Sequence, residues 1–196
     1  SLCTKAKLLM MLDEVQTGIG RTGNWFAYQQ TENALPDVLM LAKGLGNGMP
    51  IGACLVSGPA VGILEPGNHG STFGGNPLVC RAALTVLNTI ESNSLLSHVT
   101  LMNEQIMAAF KHALGHIEQV QIRSKGFMFG IELPIGCTDL VQQALDKKVL
   151  INVTADKVIR LLPPLILTAD EANKMVNTVS ELILTFMAEN TVESVT

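Results

Sequence analysis

The chain has 196 residues, 47% of them hydrophobic and only 15% charged, which provides for a packed core and excludes a disordered or coiled-coil chain. A formal net charge of −4 offers no basic field to a phosphate backbone, so the expected partner is a small molecule and not nucleic acid. Cys3, Cys54, Cys80 and Cys137 are scattered without a CxxC pair, which fits isolated buried thiols in the reducing cytoplasm better than a zinc or disulfide framework.

Residues 8–12 form a short apolar run that ends at Asp13-Glu14, and residues 38–42 form a second that ends at Lys43-Gly44. Both read as buried parallel strands, and the segment between them reads as a crossover with a helix near residues 25–31. Asp13 and Glu14 also interrupt the N-terminal apolar run well short of the ~20 residues of a membrane span, so no membrane is expected to be a partner. Residues 51–56, bounded by Pro50 and by Ser57-Gly58-Pro59, give a third strand. Ligands of open α/β sheets sit at the carboxyl ends of strands, where this order places Asp13 and Lys43.

Asn76-Pro77 opens a helix with Leu78, Ala82, Val86 and Ile90 on one face, since Asn caps a helix well and Pro suits its first position. A second helix carries Leu95, Val99, Met102, Ile106, Phe110 and Leu114, and bridges two domains. A turn at Ser124-Lys125-Gly126 precedes a strand over residues 127–133, a helix near 139–147 and short strands at 149–153 and 158–162. The sequence from Thr168 to Glu171 reads as a capping box opening a last helix, buried through Met175, Val179, Leu182, Ile183 and Phe186, with a frayed polar tail beyond Ala188. The resulting fold class is α/β, with residues 1–92 forming part of a larger doubly wound domain and 93–196 a small C-terminal α+β domain.

The chemistry follows from residue type and position. A carboxylate at a strand end suits a pyridine ring nitrogen that must stay protonated, and a lysine ending an apolar strand among Gly44, Gly46 and Gly48 suits imine formation and proton transfer. Competing motifs fall short. The glycines after Lys43 match neither dinucleotide nor phosphate-loop spacing, because here the lysine comes first. His112 and His116 share a helical spacing but lack a third metal ligand, so no metal is expected.

Four segments in order, residues 12–18 (LDEVQTG), 20–23 (GRTG), 41–44 (LAKG) and 69–77 (HGSTFGGNP), resemble the class III (ω-amino) aminotransferases, and residues 158–165 (VIRLLPPL) extend the resemblance over nearly the whole chain. Within that family the likeness is nearest to the acetylornithine branch. The resemblance implies a fold-type I transferase dependent on pyridoxal 5′-phosphate (PLP), acting through a Schiff base. It implies that Asp13 pairs with the ring nitrogen, Val15 packs on the ring, Gln16 reaches the phenolic oxygen and Glu14 belongs to the same cofactor-binding run. Lys43 would be the catalytic lysine that also holds the cofactor. Thr72 would bind the cofactor phosphate and Ser71 the substrate, both across a homodimer interface, and Arg160 would clamp a substrate carboxylate.

The implied reaction takes the ω-amino group of N-acetylornithine to 2-oxoglutarate, giving glutamate, in arginine biosynthesis. Ornithine, succinyl-diaminopimelate and 4-aminobutyrate are alternative donors, and a non-catalytic folded module is an alternative of another class. The chain opens on Ser1 without an initiator Met, and the family's upstream glycine-threonine phosphate loop, ring-stacking aromatic, second arginine and the glutamate partner of Arg160 are not found in it. The expectation is therefore a C-terminal half that is inactive alone.

Overall fold

The computed structural model describes residues 2–192, which divide into two compact units between Ser97 and His98. In the first unit a short helix α1 (Leu2–Ala6) leads to strands β1 (Met11–Asp13), β2 (Val38–Leu41) and β3 (Ala53–Val56), which form a sheet in that order. β1 and β2 run parallel, with Asp13 paired to Met40, and β3 returns antiparallel to β2. β2 is the central strand, and Val38, Leu39 and Leu41 are buried on both of its faces, as its unbroken apolar sequence requires.

Two differences from the expected elements have local causes. β1 is shorter than the apolar run, because the Met10 N–H bonds the Asp37 carboxylate and the Met10 carbonyl takes the N–H groups of both Asp37 and Val38. The crossover contains only a 3-10 turn at Ala27–Gln30, not an α-helix. Helix α2 (Pro77–Ser92) begins where Asn76-Pro77 predicts it, the Asn76 side chain accepting from the N–H groups of Leu78 and Val79 at 3.1 and 3.2 Å. Such a cap contributes on the order of 1 kcal/mol. Its buried residues are Val79, Ala83 and Ile90; of the expected stripe Ile90 is buried, Ala82 and Val86 are half-buried and Leu78 is exposed.

Helix α3 (Leu95–Leu114) starts just before the division between the units, and all six of its expected stripe residues are buried. The second unit continues with β4 (Gln121–Lys125), β5 (Met128–Glu132), α4 (Leu140–Asp146), β6 (Asn152–Thr154), β7 (Val158–Leu161) and α5 (Ala169–Val192). Its antiparallel sheet has the order β4-β5-β7-β6. β4 occupies part of the expected turn: the turn is tightened to Gly126-Phe127, with Lys125 already paired to Met128. The expected strand at 149–153 is moved to Asn152–Thr154, since Val149 donates to the Ala144 carbonyl and so closes the end of α4.

A register row of Ile122, Ile131, Ile159 and Val153 crosses all four strands on the core side of this sheet. It packs in one apolar cluster with Phe110 and Leu114 of α3, Leu140 of α4, and Val179 and Ile183 of α5. Each such buried side chain contributes roughly 1.5–3 kcal/mol through removal of apolar surface from water. The capping box at the start of α5 is present in full: the Thr168 N–H donates to Glu171 Oε2 at 2.9 Å, and the Glu171 N–H donates to Thr168 Oγ1 at 3.3 Å. α5 extends past the expected end of order at Ala188 to Val192, and the last four residues lie outside the described ones.

Candidate active site

Asp13 closes β1, and Lys43 follows the end of its parallel neighbour β2, so both side chains leave the sheet at the carboxyl ends of adjacent strands, and both are exposed. The ladder continues one step past Asp13, the Glu14 N–H donating to the Met40 carbonyl at 3.0 Å, which fixes this strand end against β2. Asp13 Oδ1 accepts the Val15 N–H at 2.9 Å and so orients its carboxylate.

Lys43 breaks out of the strand with a left-handed backbone, φ 43°, and opens a 3-10 turn at Lys43–Leu45. A left-handed non-glycine residue is strained by about 1–3 kcal/mol and persists only where its surroundings hold it. The surroundings are specific. Gly44 lies against the buried Ile19, itself left-handed at φ 55°. A Cβ on Gly46 would stand 2.1 Å from the Met49 carbonyl oxygen, so the turn closes only with glycine there.

Glu14, next to Asp13 in the chain, is turned inward. Its side chain is only 3% exposed, and both carboxylate oxygens are taken by the chain's own donors: Oε2 by the Thr17 hydroxyl and the Ala27 N–H, Oε1 by the Tyr28 N–H. Those two N–H groups open the 3-10 turn Ala27–Gln30, where they lack partners within the turn. Glu14 therefore ties the loop after β1, with Val15 and Gln16 half-buried in it, to the crossover.

Ser71 and Thr72 lie exposed in the loop before α2, where Ser71 Oγ accepts the Gly74 N–H at 3.0 Å. The first turn of α2 follows directly, its Leu78 and Val79 N–H groups already taken by the Asn76 side chain. Arg160 belongs to the second unit. It lies on β7 with its side chain opposite the core face, paired in register with Gly130 of β5 and Asn152 of β6. Arg123 of β4 pairs with the same Gly130 and is held by Glu132 at 2.9 Å. Lys157 binds the second oxygen of Glu132 at 2.9 Å, and these two cations hold its carboxyl below the usual carboxylate range, Lys157 contributing first.

The profile of the aminotransferase class-III family matches residues 1–183. The chain belongs to the class III aminotransferases. It is 50% identical over 187 residues to an acetylornithine aminotransferase of Nitrosomonas europaea, covering 95% of this chain and 47% of that protein. It is 44% identical over 182 residues to one of Aquifex aeolicus, covering 93% and 46%. Among solved structures it is similar to the ornithine aminotransferase of Toxoplasma gondii, with a TM-score of 0.89, 31% identity and coverage of 96% of this chain and 46% of that one. It is also similar to the acetylornithine aminotransferase of Elizabethkingia anophelis, with a TM-score of 0.84, 30% identity and coverage of 94% and 47%. The chain thus spans about half the length of the relatives it matches, and it has the α/β architecture of the fold-type I aminotransferases.

Among the described residues no group of three His, Cys, Asp or Glu side chains is arranged to hold a metal, and His116 lies beyond the end of α3, so it shares no helix face with His112. No helix among them is long and apolar enough to cross a membrane. The supporting residues Ile19, Thr17 and Ala27 escaped the sequence reading, as did Arg123 and Gly130. No sequence signal marked Arg123, because Gln121-Ile-Arg-Ser-Lys125 holds a single apolar residue and shows no apolar alternation.

Proposed function

We propose that the full-length protein is a PLP-dependent aminotransferase that transfers the ω-amino group of N-acetylornithine to 2-oxoglutarate in arginine biosynthesis, acting in the cytoplasm. The observation that carries this reading is the placement of a carboxylate, Asp13, and an amine, Lys43, at the ends of neighbouring parallel strands in a chain of this family. The substrate follows the names of the relatives at 44–50% identity.

The donor set fits PLP, which pairs a basic ring nitrogen and an aldehyde with a dianionic phosphate. When bound, that group supplies an electron-accepting ring that stabilises negative charge on the substrate carbon. Asp13 would hold the proton on the ring nitrogen, since an acceptor-only carboxylate favours the charged ring. Lys43 Nζ would hold the cofactor covalently and, once released by the incoming amine, carry the proton between the substrate carbon and the cofactor. Val15 would pack on the ring and Gln16 reach its phenolic oxygen. Glu14 supports them from beneath by fixing their loop. Thr72 would serve the phosphate and Ser71 the substrate in the site of the partner subunit of a homodimer, and Arg160 would clamp a substrate carboxylate through its planar fork.

Steady-state kinetics of the full-length protein on N-acetylornithine, ornithine, succinyl-diaminopimelate and 4-aminobutyrate, with 2-oxoglutarate as acceptor, test the assignment. N-acetylornithine is expected to give the highest kcat/KM by at least about tenfold, a difference of roughly 1.4 kcal/mol in transition-state binding. A higher value for ornithine would correct the substrate and keep the chemistry; no transamination of any of the four would overturn both.

A further inference from the structure

Among the described residues that are left-handed without being glycine, Ile19, at φ 55°, is the only β-branched one, the type that disfavours this conformation most. Its surroundings hold it there. The Ile19 N–H donates to the Trp25 carbonyl at 2.7 Å, and its side chain is only 4% exposed. Strain of this kind survives where a fixed placement depends on it, and what Ile19 touches is the turn at Lys43. A Cβ built on Gly44 would meet two atoms within 4 Å, Ile19 Cβ at 3.5 Å and Cγ2 at 3.8 Å. One residue earlier in the same loop, a Cβ on Gly18 would lie 3.1 Å from Leu41 Cδ2, so Gly18 lies close against the buried side chain of Leu41. The loop therefore presses on the chain two residues before Lys43 and one residue after it.

That grip decides where the Lys43 amine goes. Alternate residues of a strand share a face, so an extended backbone through residue 43 would put the lysine on the side of Leu41, which is buried. The left-handed backbone at Lys43, φ 43°, breaks the alternation and leaves its side chain exposed. We infer that Ile19 is a positioning residue for Lys43: its Cβ and Cγ2 close the space beside Gly44 and keep the turn from relaxing into extended strand. Since Val15 and Gln16 belong to the same loop, one segment then sets both the ring contacts and the amine. The inference rests on the reading of Lys43 as the residue that holds PLP, and it adds a residue that acts through Gly44 and not by contact with the cofactor.

The test follows the uptake of PLP by the full-length apoenzyme, in which the Lys43 amine and the cofactor aldehyde join with loss of water. Uptake is read from the visible absorbance of the lysine-bound cofactor, and the melting temperature is measured beside it. Ile19→Val keeps both atoms that meet Gly44 and should change the uptake rate by less than about twofold. Ile19→Ala keeps Cβ alone and should lower the rate about threefold. Ile19→Gly removes the prop altogether and should lower it by about tenfold or more. Glycine adopts a left-handed backbone freely, so this variant is expected to fold. Stability should follow a different order: the alanine and glycine variants lose nearly the same buried surface, and glycine gains by release of strain, so their melting temperatures should fall together. Equal uptake by these two variants would show that packing and not the contact with Gly44 matters, and would overturn the inference. Uptake by Ile19→Gly within about twofold of wild type would also overturn it. Should Ile19→Gly not fold, Ile19→Ala against Ile19→Val decides alone: a slower alanine variant upholds the contact, and equal rates overturn it. If Lys43→Ala keeps the visible absorbance, the reading of Lys43 fails first.

Discussion

At the scale of single residues, the candidate site joins two exposed groups, Asp13 and Lys43, to buried groups that hold their loops. Lys43→Ala in the full-length enzyme removes the only amine at the end of β2, and activity should fall by several orders of magnitude, with loss of the visible absorbance of a lysine-bound cofactor. Activity within about tenfold of wild type would disprove the role. Glu14 is the opposite case. Glu14→Ala would leave the N–H groups of Ala27 and Tyr28 unpaired beside a cavity, and should destabilise the folded state by on the order of 3 kcal/mol while loosening PLP through Val15 and Gln16. Chemical unfolding and cofactor titration check it; unchanged stability would mean the three bonds to Glu14 are dispensable. The positions of Asp13 and Lys43 at the ends of neighbouring strands were legible in the sequence because each ends an apolar run. The inward turn of Glu14 was not, because its donors lie in the crossover, thirteen and fourteen residues further on.

At the scale of elements, apolar runs and caps predicted well where the pattern was strong. α3 has all six stripe residues buried, and α2 and α5 start at their caps. β4 was missed because Gln121-Ile-Arg-Ser-Lys125 holds a single apolar residue, and its place comes from pairing with β5 and not from local propensity. The crossover helix was overcalled, since a segment tied down by the Glu14 carboxylate needs only one tight turn. The cap of α5 makes a prediction about pH. Bonds from the Thr168 N–H, and next from its hydroxyl, depress the carboxyl of Glu171 below its ordinary value, so it adds stability above the unfolded value of about 4.3 and loses it as the pH falls through the lower folded value. Glu132 behaves in the same way. Glu171→Gln should therefore lose less thermal stability than wild type between pH 6 and pH 3, both values chosen to bracket that window at about 4. Parallel losses in melting curves would show that the cap does not titrate.

At the scale of the molecule, the exposed Ser71–Thr72 loop and the exposed Lys43 bear on assembly. If Thr72 serves the partner's cofactor in a homodimer, a heterodimer of wild type with a full-length Thr72→Ala, Lys43→Ala chain has no complete site: one lacks its lysine and the other its threonine. Its activity should fall well below half of wild type, and retention of half would place Thr72 within its own subunit. The sequence pattern changes after residue 92, whereas the compact units of the structure divide between Ser97 and His98, within the first turn of α3, where helical spacing runs on without a break.

The two faces of the β4-β5-β7-β6 sheet are read from one ladder, and this makes its arginines unusually safe from misassembly. A slip of one residue in β7 would turn Arg160 into the apolar cluster and put Ile159 in water, at a cost of several kcal/mol for the buried charge alone. The core thus proofreads the outer face. A chain that has packed its isoleucines has already set its guanidiniums in line, so damage to this face is expected to arise from changes to its own side chains and not from errors of folding.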